Sequence, residues 1–266
     1  MRKENQSSTL YFIILGLSSQ QAQEDFYFIL FLFIYPTTLI GNLLIIWAIC
    51  FYVHLHNPMY FILANLSLVD IFFSSLAVPK MLTNHLLGNR GISFRGCITM
   101  MHFMLFLANT DSYILAVMAY DRAMAISCSL HYTTIMNPRS CFLLVVGSWV
   151  IGIANSLSHT LLTASLSFCS KREVANFYCD IKSLIKLSCS DIHCKVKMMY
   201  LGAGAFCVPL ICIIVSYVQV FSTVLRVPST KGVLKAFSTC GSHLTIVSLY
   251  YGTVIGMYFC PLTNYC

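Results

Sequence analysis

Charged side chains are absent from four long stretches of the chain, and each stretch is long enough to cross a lipid bilayer. The stretches run from Phe26 to Val53, Ser140 to Ser170, Met198 to Leu225 and Ala236 to Cys266. An α-helix rises about 1.5 Å per residue and the hydrocarbon layer is about 30 Å thick, so about 20 apolar residues are enough to span it. The pattern therefore predicts four membrane-spanning helices.

Two further apolar segments each contain one acidic residue. Asp70 lies within the segment from Asn57 to Pro79, and Asp111 lies within the segment from Gly96 to Tyr120. An ionisable residue in an otherwise apolar helix usually faces the interior of a bundle and marks a functional position. We count both segments as spans, which places the six predicted helices at about 26–50, 58–80, 97–124, 140–164, 197–222 and 236–259.

Composition supports a membrane protein, because 58% of the 266 residues are hydrophobic and only 9% are charged. No water-soluble domain needs so much apolar surface. Backbone groups within a bilayer must be paired internally, and the sequence lacks the alternating pattern of a barrel. The predicted fold is therefore a single all-α integral membrane domain, a helix bundle surrounded by lipid. No nucleophile, phosphate-binding loop or metal-ligand spacing accompanies the apolar segments, so we expect neither an enzyme nor a cofactor, and no nucleic-acid partner.

Four longer motifs lie in or beside the predicted helices. They are Leu55–Tyr60 before the second helix, Met118–Arg122 at the end of the third, Ser216–Tyr217 in the fifth and Lys235–Cys240 at the start of the sixth. In their order and amino-acid sequence they resemble the motifs of the odorant receptors, which are rhodopsin-like G-protein-coupled receptors with seven helices. The resemblance covers the whole chain, and the loops are most similar to family-1 members of the tetrapod-type class.

The resemblance implies a receptor that binds small volatile odorants within the bundle and activates a stimulatory, olfactory-type heterotrimeric G protein. It also implies a cytoplasmic switch in which an arginine is released when the sixth helix moves outward. The residues at the matching positions are Asp121, Arg122, Tyr217, Lys235 and His243. The chain departs from the family pattern at Ala123, Ser127 and Ser129, in the inner region that is expected to touch the G protein.

Helix rise places the two acidic residues at one depth. Asp70 is 12 residues beyond Pro58 and Asp111 is 11 residues before Arg122, which puts them about 18 and 16 Å from the same membrane face. Two carboxylates in a dry bundle do not both ionise without a cation or a shared proton. The resemblance implies a sodium-type site at Asp70 and Asp111, and the spacing permits it. The alternative, in which one acid is simply protonated and hydrogen-bonded, stays open.

A candidate odorant pocket lies nearer the opposite membrane face. Residues of the third helix recur there at helical spacing, and residues of the fifth and sixth helices reach a similar height. An apolar face of this kind is usually core, and the functional interpretation comes from the resemblance, because the family's odorant cavity lies at this level. The candidate lining residues are Met104, Leu105, Ala108, Asn109, Ser112, Leu201, Tyr251 and Tyr258. They carry no formal charge, so we expect neutral ligands such as aldehydes, ketones or alcohols.

The chain has 13 cysteines, which fall into two groups. Those within or beside the spans are expected to be small buried hydrophobes. Cys97, Cys169, Cys179 and Cys189 lie at or beyond one membrane face, where pairing is expected in an oxidising compartment. Sequence alone leaves three connectivities open for four cysteines. The resemblance implies that Cys97 pairs with Cys179 and that Cys169 pairs with Cys189.

The orientation in the membrane is predicted mainly from the resemblance. With an extracellular N-terminus, most Lys and Arg residues would lie outside, against the positive-inside tendency. Glu24 and Asp25 before the first apolar run, the loop cysteines and the glycosylation sequon at Asn5 favour that orientation nonetheless. We predict a multi-pass plasma-membrane protein with an extracellular N-terminus and glycosylation at Asn5.

The family carries a seventh helix, and this sequence ends at Cys266 before one begins. We therefore expect both ends of the 266-residue chain to be extracellular, and the chain expressed alone to reach the cell surface poorly and give no odorant response. Appending a seventh helix and tail from a close relative is expected to restore trafficking. A truncated product without signalling is the alternative to a working receptor. A six-helix channel or transporter is a remote alternative, because the sequence shows no inverted repeat, filter-like loop or pair of broken helices.

Overall fold

A computed structural model of the chain describes residues 11–14, 21–88, 91–166, 168, 173–174, 178–189, 192–225 and 230–259. In chain order, the helices of this part are α1 (Gln21–Phe51), α2 (Pro58–Leu87), α3 (Phe94–Ser127), α4 (Tyr132–Ile135), α5 (Pro138–Ala164), α6 (Ile181–Leu187), α7 (Ile192–Val224) and α8 (Thr230–Phe259). A 3-10 turn, Val53–Leu55, leads from α1 towards α2. Three short strands are β1 (Tyr11–Ile14), β2 (Gly91–Ser93) and β3 (Glu173–Val174).

The long helices form an all-α membrane bundle, as the sequence predicted. Each of the six predicted segments lies inside one long helix, and within the described residues α1, α2, α3, α5 and α7 are long and apolar enough to cross a bilayer. The helices run further than the predicted segments. For example, α2 continues past Pro79 and ends at Leu87. Its C-cap is Gly88, whose φ of 62° is left-handed. Apolar length measures only the hydrocarbon layer, whereas backbone hydrogen bonding lets a helix continue beyond it.

The central helix of the bundle is α3. It packs against α2, α5 and α7 and also contacts α8, and its residues Thr110, Ile114, Ala119 and Ala123 are fully buried. Helix α1 packs beside α2, where the Tyr35 hydroxyl donates to Ser75 Oγ at 3.2 Å. The central position of α3 explains why it carries more of the predicted site residues than any other helix.

Small residues let α3 and α5 approach closely. Ser148, Gly152 and Ser156 are buried at a four-residue spacing, which keeps them on one face of α5. A Cβ atom at Gly152 would collide with Thr110 Oγ1, and it would lie 3.2 Å from the carbonyl oxygen of Phe106 and 3.3 Å from the backbone nitrogen of Thr110. Two of these three neighbours are backbone atoms, so the contact cannot be relieved by turning a side chain.

The substitution Gly152→Ala is expected to destabilise the protein by about 1 to 3 kcal/mol, because it overpacks the contact between α3 and α5. The measurement is the melting temperature of the protein purified in detergent. Gly147→Ala is the matched control, since a Cβ at that position of α5 meets no atom within 4 Å and alanine favours a helix over glycine. Equal melting temperatures for the two variants would contradict the close approach.

A disulfide between Cys97 and Cys179 joins the start of α3 to the segment before α6, with Cα atoms 5.4 Å apart. Both cysteines are buried, and the pairing is the one that the family resemblance implied. We call this end of the molecule the disulfide end of the bundle. Cys189 is also disulfide-bonded, and its predicted partner, Cys169, lies outside the described residues.

The burial of the free cysteines differs in part from the prediction. Cys141 and Cys240 are buried, as expected, whereas Cys50, Cys207 and Cys212 are exposed. The prediction was wrong for these three, because the apolar sequence of a membrane helix does not distinguish the side that faces other helices from the side that faces lipid.

Candidate functional site

The contact between α3 and α8 is made by Tyr250. Its hydroxyl donates to the carbonyl oxygen of Ala108 at 2.7 Å, and the hydroxyl of Ser112 lies 2.8 Å away. Ala108 and Ser112 were predicted to line the pocket, and the structure brings them together beside α8. Tyr250 was missed by the sequence prediction, which selected its neighbour Tyr251 from helix height alone.

Tyr251 is buried and turns towards α7. Its ring contacts that of Phe206 at 4.9 Å between centroids and that of Tyr250 at 5.2 Å. Its hydroxyl lies near that of Ser112, which is bonded to Tyr250, and it forms no hydrogen bond of suitable geometry with a described residue. The α7 residue that contacts Tyr251 is therefore Phe206. Leu201, the α7 residue predicted to line the pocket, lies five residues from Phe206, or about 7.5 Å closer to the disulfide end.

Asn109 faces α5. Its side-chain amide donates to the carbonyl oxygen of Leu105 at 2.6 Å, and its own oxygen accepts from Asn155 Nδ2 at 3.3 Å. In the described part of the chain, Asn155 Oδ1 is buried and unpartnered. Asn155 was not predicted, although a single amide within an apolar helix was a signal that could have identified it.

The remaining predicted lining residues lie elsewhere. Met104 packs with Ala77 and Met100 between α2 and α3, and Leu105 packs against the apolar cluster at the disulfide end. The side chain of Tyr258 lies outside the described residues. The predicted face of α3 is thus divided among three neighbours: Met104 meets α2, Asn109 meets α5, and Ala108 and Ser112 meet α8.

The two acidic residues approach each other in the middle of the bundle. Asp111 is buried, and its Oδ1 lacks a partner within the described ranges. Asp70 is half-buried, and its carboxylate is close enough for the two charges to interact. The described residues contain no group of three His, Cys, Asp or Glu side chains that could hold a metal ion. An unpartnered carboxylate oxygen beside a second carboxylate nevertheless fits a small hard cation, which prefers oxygen ligands.

The opposite end of α3 carries a set of polar contacts. Asp121 is buried and accepts a hydrogen bond from the Tyr132 hydroxyl at 2.7 Å. Burial and this hydrogen bond raise the pKa of Tyr132 above its usual value, so the phenol stays protonated and keeps donating. Tyr132 was not among the predicted switch residues.

A second contact links α7 to α8 at the same end. The Tyr217 hydroxyl lies 2.5 Å from His243 Nδ1, and both side chains are buried. Arg122 is half-buried and close enough for its charge to act on both of these residues. The structure thus brings together three of the predicted switch residues, Arg122, Tyr217 and His243. The side chain of Lys235, near the start of α8, lies outside the described residues.

The departures from the family pattern at this end fit into the packing. Ala123 is fully buried. The Ser127 hydroxyl forms a hydrogen bond of 2.9 Å with Thr223 on α7. Ser129 is exposed. Ser127 therefore supports the contact between α3 and α7.

Comparison with known proteins agrees with this architecture. A sequence model of the olfactory receptor family matches residues 31–261. The chain is 77% identical over 265 residues to olfactory receptor 1A1 of Pan troglodytes and 76% identical over 265 residues to that of Homo sapiens. It is also 70% identical over 265 residues to olfactory receptor 1A2 of Homo sapiens. Each alignment covers 100% of this chain and 86% of the relative.

The membrane bundle and the comparisons together define a rhodopsin-like G-protein-coupled receptor. Within that class, the chain belongs to the olfactory receptor family. It is a multi-pass membrane protein and an odorant receptor, in a family that is not enzymatic.

Proposed function

We propose that the receptor binds small neutral odorants between α3, α5, α7 and α8 and activates a stimulatory, olfactory-type G protein at the other end of the bundle. One observation carries the binding site. Asn155 Oδ1 and the Tyr251 hydroxyl are buried, and neither has a hydrogen-bond partner among the described residues. A buried polar atom without a partner costs about 1 to 3 kcal/mol, so a ligand that supplies the partner recovers that free energy on binding.

The two atoms indicate the chemistry of the ligand. An amide oxygen only accepts, so Asn155 Oδ1 suits the hydroxyl of an alcohol, whereas the Tyr251 hydroxyl can donate to the carbonyl of an aldehyde or ketone. Phe206 and Tyr250 supply aromatic walls beside Tyr251. The two unpartnered groups are an amide and a hydroxyl, which supports neutral ligands.

Tyr251→Phe is expected to raise the concentration of aldehyde or ketone needed for a half-maximal response by about 3- to 10-fold. The substitution removes the hydroxyl and keeps the ring that packs on Phe206. The measurement is odorant-evoked cyclic AMP in the chain with an appended seventh helix and tail from a close relative, with surface level measured in parallel. Tyr200→Phe is the control, because Tyr200 lies on α7 with 70% of its surface exposed. Unchanged potency for carbonyl odorants in Tyr251→Phe would exclude Tyr251 from the site.

We further propose a sodium site at Asp70 and Asp111, supported by the unpartnered Asp111 Oδ1 and the proximity of the second carboxylate. A ligand that binds only the folded state raises the melting temperature as its concentration increases. Sodium chloride is therefore expected to stabilise the detergent-solubilised receptor more than choline chloride at equal ionic strength. Asp70→Asn should remove this difference, because it removes one of the two charges. A sodium effect that persists in Asp70→Asn would contradict the site.

The surface proposed for the G protein lies at the end of α3 that carries Arg122. Leu130, between α3 and α4, is 92% exposed. Leu130 lies two residues before Tyr132, whose hydroxyl donates a hydrogen bond to Asp121. Large apolar side chains occupy the core of protein interfaces, which is depleted of charged residues. Arg122 and Leu130 are therefore the proposed contacts, and Tyr217 and His243 line the path that opens between α7 and α8.

The proposed orientation is an extracellular N-terminus in the plasma membrane. It is supported by the disulfides, since Cys97, Cys179 and Cys189 are oxidised near one end of the bundle and disulfides persist in extracellular surroundings. Strand β1, which follows the N-terminal segment, lies at the same end. Asn5, the proposed glycosylation site, lies outside the described residues.

A further inference from the structure

Strand β1 is held on both of its edges at the disulfide end of the bundle. It pairs antiparallel with β2, with Phe12 opposite Ile92, and parallel with β3. The strand order is β2-β1-β3, so β1 is the middle strand. It therefore joins two loops that are distant in sequence, the loop before α3 and the loop between α5 and α6.

One side chain of β1 is inserted into the protein. Phe12 is fully buried, whereas its neighbours Tyr11 and Ile13 are 60% and 46% exposed, as expected for alternate faces of a strand. The Phe12 ring lies 6.1 Å from that of Phe94 and 5.8 Å from that of Phe168. These separations are typical of favourable aromatic pairs.

The cluster around Phe12 includes the disulfide. It contains Cys97 and Met101 of α3, Leu184 of α6 and Met198 of α7, and Leu105 packs against it. Leu105 is also the residue whose carbonyl oxygen accepts from Asn109 at the proposed odorant site. Phe12 is thus part of one apolar layer that lies between β1 and the odorant site.

We propose that β1 is a fixed brace, which holds these two loops on the bundle and stays in place while odorant binds and leaves. Moving β1 away would break hydrogen bonds on both edges and expose Phe12 together with its aromatic partners. The part of the proposal that concerns odorant binding rests on the proposed odorant function. The contribution of β1 to stability does not, because it can be measured in the ligand-free protein.

The stability arm compares Phe12→Ala with Tyr11→Ala in the ligand-free receptor. Phe12→Ala is expected to lower the melting temperature in detergent by about 5 to 10 °C, since it removes a buried ring. Tyr11→Ala, on the exposed face of the same strand, is expected to change it by less than about 2 °C. Equal melting temperatures for the two variants would overturn the proposal.

The second arm fixes β1 to β2 by a new disulfide. Ile13 and Gly91 are directly opposite partners, so Ile13→Cys with Gly91→Cys places two cysteines on one face at a suitable distance. Mass spectrometry of the linked peptide confirms the bond. The cross-linked receptor is expected to respond to an aldehyde odorant with a potency within about twofold of the two single-cysteine variants.

A cross-linked receptor that loses its response while both single-cysteine variants respond would show that β1 must move, and would overturn the brace. Complete absence of an odorant response when the unaltered chain carries an appended seventh helix and tail from a close relative would instead overturn the proposed function. The comparison of Phe12→Ala with Tyr11→Ala would then still decide whether β1 is a brace.

Discussion

Replacing Cys97 or Cys179 with alanine is expected to remove the receptor almost completely from the cell surface. The disulfide closes a loop with a sequence separation of 82 residues, for which the chain-entropy relation gives a stabilisation of about 4.5 kcal/mol. Typical domains are stable by only about 5 to 15 kcal/mol. Both cysteines also lie in the apolar cluster around Phe12, so the packing of the disulfide end would be disturbed as well. Surface staining of the epitope-tagged chain with an appended seventh helix and tail from a close relative measures the effect.

The double variant Cys97→Ala with Cys179→Ala separates two effects of the single variants, the loss of the disulfide and the reactivity of the remaining free thiol. It is expected to match the single variants, because each of them already removes the bond. Cys207→Ala is the matched control, since Cys207 is free and exposed on α7, and it should keep its surface level. A surface level near normal in the double variant would contradict a structural role for this disulfide.

Arg122→Ala is expected to lower the maximal odorant-evoked cyclic AMP signal by about 10-fold or more, with little change in surface level. Arg122 is half-buried at the end of α3, and its charge acts on both members of the Tyr217–His243 contact between α7 and α8. A guanidinium supplies five donors in a rigid arrangement, which suits a contact with the carbonyl groups of a partner helix. The variant should therefore fold and bind odorant but fail to couple.

Arg139→Ala provides the comparison. Arg139 is exposed in the first turn of α5, shortly after α4. The substitution Arg139→Ala removes one positive charge from the same end of the bundle without touching Tyr217 or His243. Similar losses in both variants would indicate a general effect of surface charge, and a full response in Arg122→Ala would place the switch elsewhere.

The membrane helices could be predicted because one physical quantity, the thickness of the hydrocarbon layer, fixes how many apolar residues a span needs. The helix ends could not, since α2 runs past Pro79 to Leu87, beyond the length that the hydrocarbon layer requires. The Cys97–Cys179 bond followed from the family resemblance, and the four outer cysteines by themselves left it undecided.

The candidate odorant site was predicted only in part, because residue spacing gives the height of a side chain along a helix but not the direction in which the helix faces. Tyr250 and Tyr251 differ by about 100° around α8, and it is Tyr250 that bonds to α3 whereas Tyr251 meets Phe206. The same limit separated Met104, which turns to α2, from Asn109, which turns to α5.

The sequence by itself determined the class of the protein, an all-α membrane bundle with odorant-receptor motifs. It also predicted a switch around Arg122 and two acids at one depth. Hydrophobicity and motif order are properties of the chain, and they need no knowledge of contacts. Only the tertiary structure decided which polar atoms find partners. Asn155 Oδ1 and the Tyr251 hydroxyl are left without one, whereas Tyr132 is bonded to Asp121. Hydrogen bonding depends on the rotation of each helix about its own axis, which packing between helices sets and residue spacing does not.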